Sequence, residues 1–164
     1  MTSEEALQKI LPLFEVYYAV ERESPAPPFS AEASFTVRDE HYALYRTVKY
    51  ADAESREYIF FAVTDKATLE TAKRFDEAAW SEGLSRVVPG PNHRNTDISL
   101  VLLADEVEPE AAAYVKRLHR SKNYKFMFHG WSNYRAIVIE TTSGAMTSNR
   151  LGRNLRELFD NIKF

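Results

Sequence analysis

His93 stands in the polar run Asn92-His93-Arg94-Asn95-Thr96-Asp97, four residues ahead of a carboxylate and beside a guanidinium. A histidine oriented by an aspartate is the usual form of a general base, and an adjacent arginine can hold an anionic substrate. His93 and Asp97 are therefore the catalytic candidates, with Arg94 as a binding residue. No serine in a G-x-S-x-G elbow accompanies them. The competing reading makes them solvated loop residues, with Asp97 or Asn95 capping a turn. The other histidines, His41, His119 and His129, are far apart, with no H-x-x-x-H spacing to set two on one helical face. No metal site is expected, and His129 reads as a hydrogen-bonded core residue.

A second constellation is electrostatic. Residues 1–115 hold 11 Lys/Arg and 21 Asp/Glu, a balance of -10, whereas residues 116–164 hold 10 Lys/Arg and 3 Asp/Glu, a balance of +7. Lys116, Arg117, Arg120 and Lys122 lead the basic part and run into Phe126, Phe128, Trp131 and Tyr134. Cations neutralise phosphates and exposed rings stack on bases, a mixture suited to single-stranded nucleic acid. Against this, the aromatics alternate as core residues do. Arg150, Arg153 and Arg156 form a further basic group at the start of the last helix, where the helix dipole disfavours cations unless an anion compensates. Neither G-x-G-x-x-G nor G-x-x-x-x-G-K-[ST] occurs, so no nucleotide cofactor is expected. The chain has no cysteine, which excludes disulfides, thiol nucleophiles and Cys-ligated zinc or iron–sulfur clusters.

The elements that must position these residues follow from hydropathy spacing. The spacing predicts a helix over 2–22, with Thr2 and Glu5 as a capping box and Pro12 as a kink or break. Residues 24–33 are an extended Pro-rich connector, in which Arg22, Pro25 and Pro28 also fit a short R-x-x-P-x-x-P pattern. A three-stranded meander is expected next, turning at Asp39-Glu40 so that Phe35 faces Leu44 and Val37 faces Tyr42, with 57–63 as its third strand. A helix starting near Thr64 or Asp65 should end at Gly83 as a left-handed cap. The unbroken apolar run Ile98 to Ala104 predicts a central strand covered on both faces. Pro109 opens a helix to about residue 121. Strands 124–131 and 134–141 are expected to pair across Ser132-Asn133, with Phe128 facing Ile137 and Lys125 facing Glu140. A short strand around Met146 and a helix from Arg150 to Ile162, buried through Leu151, Leu155, Leu158 and Ile162, close the chain.

The resulting order α-βββ-α-β-α-ββ-α predicts an α+β or mixed α/β domain, one unit over 1–164, with a central sheet covered by helices. Restriction-endonuclease-like nucleases share the order α-βββ-α-β. Their chemistry needs two carboxylates on a divalent cation and an E-x-K lysine in the third strand. Here Glu57 is followed by Tyr58 and Ile59, without the lysine, and Asp52 and Glu57 read as solvated loop charges.

At FHGWSNYRAIVIE and TSNRLGRNLRELF the chain resembles a family of conserved hypothetical bacterial proteins with no assigned function. The likeness spans roughly 34–159, and His129-Gly130-Trp131, Gly144, Asn149, Gly152 and Leu155 carry it. It implies a bacterial, cytoplasmic single-domain protein and no catalytic residue. No stretch of 18 apolar residues occurs, and the acidic start Thr2-Ser3-Glu4-Glu5 is unlike a signal peptide, so a cytoplasmic protein is expected. The sequence thus points to a non-catalytic binding or protein-interaction domain, with a protein partner or a homodimer in view. The alternative is a nucleic-acid or phosphate-directed protein, binding or weakly hydrolytic, that uses the basic C-terminal third.

Overall fold

The computed structural model describes residues 1–39 and 53–164. Among the described residues four helices pack on one mixed sheet. The elements are α1 (Ser3–Phe14), β1 (Ala19–Glu21), β2 (Ala31–Asp39), β3 (Ala53–Ala67), α2 (Leu69–Ser85), β4 (His93–Val107), α3 (Pro109–Arg117), β5 (Ser121–Asn123), β6 (Trp131–Glu140), β7 (Ala145–Ser148) and α4 (Arg153–Phe159). The strand order is β1-β2-β3-β4-β6-β5, and β7 covers the remaining stretch of the outer edge of β6. Strands β1, β2 and β3 pair antiparallel, whereas β3, β4 and β6 run parallel. Parallel strands need long crossovers, and α2 and α3 supply them. Among the described residues no helix is long and apolar enough to cross a membrane.

Strand alternation divides the core in two. Phe60, Ile98, Leu100, Leu102, Tyr134 and Val138 face α2 and α3. Ile59, Phe61, Val101, Leu103, Ile137 and Ile139 face α1 and α4. This accounts for the unbroken apolar run of β4, which is central and buried on both sides from Ile98 to Ala104.

Several boundaries depart from the expectation. The capping box is present, with Glu5 N–H donating to Thr2 Oγ1 at 3.2 Å and Thr2 N–H to Glu5 Oε2 at 2.9 Å. The helix, however, stops at Phe14 rather than residue 22, two residues after Pro12 removes its bond to the Gln8 carbonyl. The chain then turns back so that Val20 can pair with Ala33. Strand β3 runs to Ala67, and Thr68 Oγ1, accepting from Thr71 N–H at 3.1 Å, starts α2 later than Thr64. Gly83 is not a cap. It lies inside α2 where a Cβ would sit 2.6 Å from three carbons of Ile98, so the glycine permits close approach of helix to sheet. Asp39 ends β2 opposite Ala53, and Glu40, Tyr42 and Leu44 fall outside the described residues, while Phe35 pairs with Glu57 and Val37 with Ser55.

The largest correction concerns the predicted hairpin across Ser132-Asn133. Those two residues lie inside β6, which pairs parallel to β4 from Asn95↔Trp131 to Ala104↔Glu140. Phe128 does not face Ile137, nor Lys125 Glu140. Pairing with the central strand buries both faces from Ala136 to Ile139, which a two-stranded hairpin would leave half exposed. The last helix starts at Arg153 rather than Arg150; in it Phe159 joins Leu155 in the core and Leu158 is exposed, as is Leu151 in the turn before it.

Candidate functional site

The start of β4 places His93 and Asp97 on opposite faces of the sheet. His93 is buried, its Nδ1 2.7 Å from the His129 carbonyl oxygen and its Nε2 2.8 Å from Thr96 Oγ1. Asp97 lies on the α1/α4 side, where Arg135 Nη2 donates to its Oδ2 at 2.9 Å. The two sequence candidates are therefore not brought together as a base and its orienting acid. His93 tethers a turn, and Asp97 belongs to an ion cluster.

That cluster follows from strand register. Glu57 and Asp97 are partners on adjacent parallel strands, and Arg135 reaches over from β6 to both, donating from Nη1 to Glu57 Oε1 at 3.2 Å. Tyr18 O–H donates to Glu57 Oε2 at 2.8 Å, its ring tilted against Phe35. Burial pushes the Glu57 carboxyl above its usual range against the opposing pull of Tyr18 and Arg135, with Asp97 adding to the rise. Burial, with Glu57 beside it, also pushes the Tyr18 hydroxyl up. The reading of Glu57 as a solvated loop charge is thus corrected: it is a part-buried strand residue in an ion pair. Asp97 Oδ1 and the fully buried Ser99 Oγ have no hydrogen-bond partner among the described residues. Glu57 and Asp97 share the single guanidinium of Arg135, which ties three strands together, and among the described residues no group of three His, Asp or Glu is placed to bind a metal. Asp52 lies outside the described residues.

The basic residues do not form one surface. Lys116 and Arg117 end α3, where the helix dipole favours cations. Lys122 stands on edge strand β5, its Nζ 5.5 Å from the Tyr124 ring centroid. Arg120 is held by the fully buried Asp76 of α2, donating from Nε at 3.0 Å and Nη2 at 2.9 Å. Arg150, Arg153 and Arg156 lie exposed around α4 on the other layer, Arg156 within 4.0 Å of Asp160. Arg94 is exposed on β4, and its carbonyl approaches Gly130.

What the sequence concealed is the turn between β5 and β6. Phe126 and Phe128 are 95% and 81% exposed, and Met127 between them is also exposed. Lys125, Phe126 and Met127 take positive φ values of 47°, 53° and 75°, a left-handed conformation that costs an L-residue about 1–2 kcal/mol each. The turn nevertheless has firm footing. Tyr124 N–H donates to Gly130 O at 2.9 Å, His129 N–H to Tyr124 O at 3.1 Å, and Tyr124 and Ser132 hydroxyls meet at 3.0 Å. Gly130, at φ +88°, must be glycine, because a Cβ would lie 2.5 Å from the Arg94 carbonyl oxygen and overlap the His93 ring. The alternation of Phe126 and Phe128 is that of core residues, and the structure exposes both. Asn123 and Gly130, turn formers bracketing a run too short for a strand with its own hairpin, are the signal that pointed the other way.

The residues that carried the family resemblance have structural roles. Asn149, buried, accepts from Ala136 N–H at 3.0 Å and Gly152 N–H at 2.8 Å and donates to Leu118 O and Tyr134 O, which joins β6, α3 and the turn into α4. Gly152 packs where a Cβ would lie 2.6 Å from the Ala136 carbonyl oxygen. Comparison with curated proteins and with solved structures gives no match. The chain belongs to the family described as domain of unknown function DUF8052, whose model matches residues 2–161.

Proposed function

We propose that this member of a family without an assigned activity is a non-catalytic interaction module that docks a partner protein through the turn 124–130. The observation that carries the reading is the presentation of Phe126 and Phe128 to water by a turn whose residues Lys125 to Met127 are left-handed and whose ends are tied to His93 and Ser132. Each ring left in water forgoes about 1.5–3 kcal/mol of burial, and backbone strain adds to that. Rigid aromatic anchors recover such a cost on binding, since little conformational freedom remains to be lost. Lys122 and Lys125 flank the anchors, so the complementary surface is an apolar pocket with an acidic rim. A nucleic-acid strand fits less well. Tyr134 is buried in the core, and the C-terminal cations are divided between two layers of the fold, so the basic residues do not track a single strand past the exposed rings. Cytoplasmic residence is part of the same proposal and agrees with a cysteine-free composition.

The test places a photo-crosslinking benzoylphenylalanine at position 126 in the source cells, with a second at exposed Val88 as control. The reading expects a discrete protein adduct from position 126 alone. The purified partner should then bind the chain at least tenfold more weakly when Phe126→Ser and Phe128→Ser are combined, with thermal stability unchanged. No adduct above the control, or a stronger effect of the double substitution on binding to single-stranded RNA or phosphatidylserine vesicles, overturns it.

A further inference from the structure

A cavity of about 260 Å³ opens at the C-terminal end of α3, lined by Tyr114, Arg117, Leu118, His119 and Arg120. Its polar wall is fixed from beneath. Asp76 projects from α2 with no exposure and takes Arg120 through Nε and Nη2, while Tyr114 O–H donates to the same carboxylate at 2.5 Å. Burial, reinforced by Asp76, pushes the Tyr114 hydroxyl up to about 12, so it remains a donor to Asp76 at neutral pH. Two of the three guanidinium nitrogens are thereby committed. Nη1 of Arg120 has no hydrogen bond among the described residues, and the side chain, 29% exposed, forms part of the cavity wall. One turn back, Arg117 donates from Nε to the Ala113 carbonyl at 3.2 Å, which pins the stem and leaves both Nη groups for another acceptor.

The side-chain charge around the cavity is positive, and it must outweigh the partial negative charge at the C-terminal end of α3. Asp76, the carboxylate beneath the cavity, is already neutralised by Arg120, and no acidic residue occurs in the sequence between Glu110 and Glu140. Lys73 of α2 adds a positive charge 5.9 Å from the centroid of the Tyr114 ring. Leu118 and the face of Tyr114 give the same cavity an apolar wall. Two guanidinium groups, one of them preoriented by a bidentate carboxylate, suit the tetrahedral oxygens of a phosphoryl group, and the apolar wall suits an organic substituent.

We propose that this cavity binds a phosphate monoester, with the phosphoryl oxygens between Arg117 and Arg120 and the organic group against Leu118 and Tyr114. Asp76 acts as a positioning residue that aims Arg120. The site is independent of the 124–130 turn, so either can fail without the other.

Titration of the full chain with inorganic phosphate and with phenyl phosphate, at constant ionic strength set with chloride, tests it by NMR of arginine Nε–H and of the Leu118 and His119 amides. Saturable shifts at millimolar concentration are expected, with phenyl phosphate at least threefold tighter. Arg117→Ala should weaken binding at least tenfold, Arg120→Lys should weaken it while the fold is kept, and Arg153→Ala and Phe126→Ser should leave it unchanged. Shifts that stay linear in ligand, or that respond equally to Arg117→Ala and Arg153→Ala, overturn the site. Equal affinity for the two ligands overturns the monoester assignment.

Discussion

Nδ1 of His93 lies 2.7 Å from the carbonyl oxygen of His129, so the buried first residue of β4 holds the far end of the exposed apolar turn. A carbonyl only accepts, which assigns the proton of the neutral ring to Nδ1 and makes Nε2 the acceptor of the Thr96 hydroxyl. His93→Ala leaves both groups without that partner and is expected to cost about 1–3 kcal/mol. Amide exchange at Tyr124, Phe128, His129 and Gly130, whose N–H groups bond within the turn, should accelerate far more than exchange in β3. Equal acceleration throughout the sheet would show that the tether is not local.

The central position of β4 was legible from Ile98 to Ala104 alone, and it sets a large mutational cost. Leu102, fully buried between β3 and β6, should lose about 2–5 kcal/mol on truncation to alanine. A loss below about 1 kcal/mol in chemical denaturation would place the strand at the periphery.

Elements whose local signals agreed with their environment were readable: the Thr2–Glu5 capping box, Pro109 at the first turn of α3, and the two-faced apolar run of β4. The apolar residues of strand 131–140 satisfy a hairpin as well as a parallel pairing. The choice between them rests on β4, whose paired residues lie 36 positions earlier in the chain, which no local pattern encodes. The candidate site departs from its sequence pattern for a related reason. His93 and Asp97 are four apart, an even spacing that an ideal strand places on one face, but the backbone near His93 departs from regular pairing, with a register shift opposite it at Glu54/Ser55. Glu57, Asp97 and Arg135 meet only through strand register, and the exposure of Phe126 and Phe128 depends on three left-handed residues that carry no glycine to announce them.

Gly83 separates two explanations of a helical glycine. As a solvent-facing helical residue it would gain up to about 1 kcal/mol on change to alanine, from propensity alone. In the fold it faces Ile98, whose branched side chain is fixed between α2 and the sheet. Gly83→Ala should therefore destabilise by about 1–3 kcal/mol, as overpacking does. Pairing it with Ile98→Ala should recover part of that loss relative to Ile98→Ala alone, as a thermal-denaturation cycle would measure. Stabilisation by the single substitution would refute the close contact.

Glu57 makes a prediction about pH. Its folded value is raised, chiefly by burial, so the folded protein holds the proton at pH values where the unfolded chain has released it. Stability from this group is therefore complete below the unfolded value of about 4.3 and is lost as pH rises through the folded value. Glu57→Gln removes the titration while retaining the side-chain shape. The stability difference between variant and parent should move in favour of the variant as pH rises from about 4, and a difference that moves the other way would mean that Arg135 and Tyr18 outweigh burial.

Asp76 and Arg120 form a pair whose two halves are unequally buried, and the inequality predicts an asymmetric response. Asp76 has no exposure, whereas Arg120 is 29% exposed and opens onto the cavity at the end of α3. When Asp76 becomes Asn, the guanidinium can turn toward water through that opening, and the Tyr114 hydroxyl still finds an amide oxygen. When Arg120 becomes Met, the carboxylate stays buried with the hydroxyl of Tyr114 as its remaining side-chain donor. An uncompensated buried charge costs about 3–5 kcal/mol, so Arg120→Met should approach that range and Asp76→Asn should fall well below it. Combining Arg120→Met with Asp76→Leu removes both charges and should restore much of the loss, since a well-packed apolar pair does not carry the desolvation of the ions. Denaturant midpoints of the three variants read the order directly. Equal losses for the two single substitutions would mean that Asp76 reaches water as readily as Arg120 does.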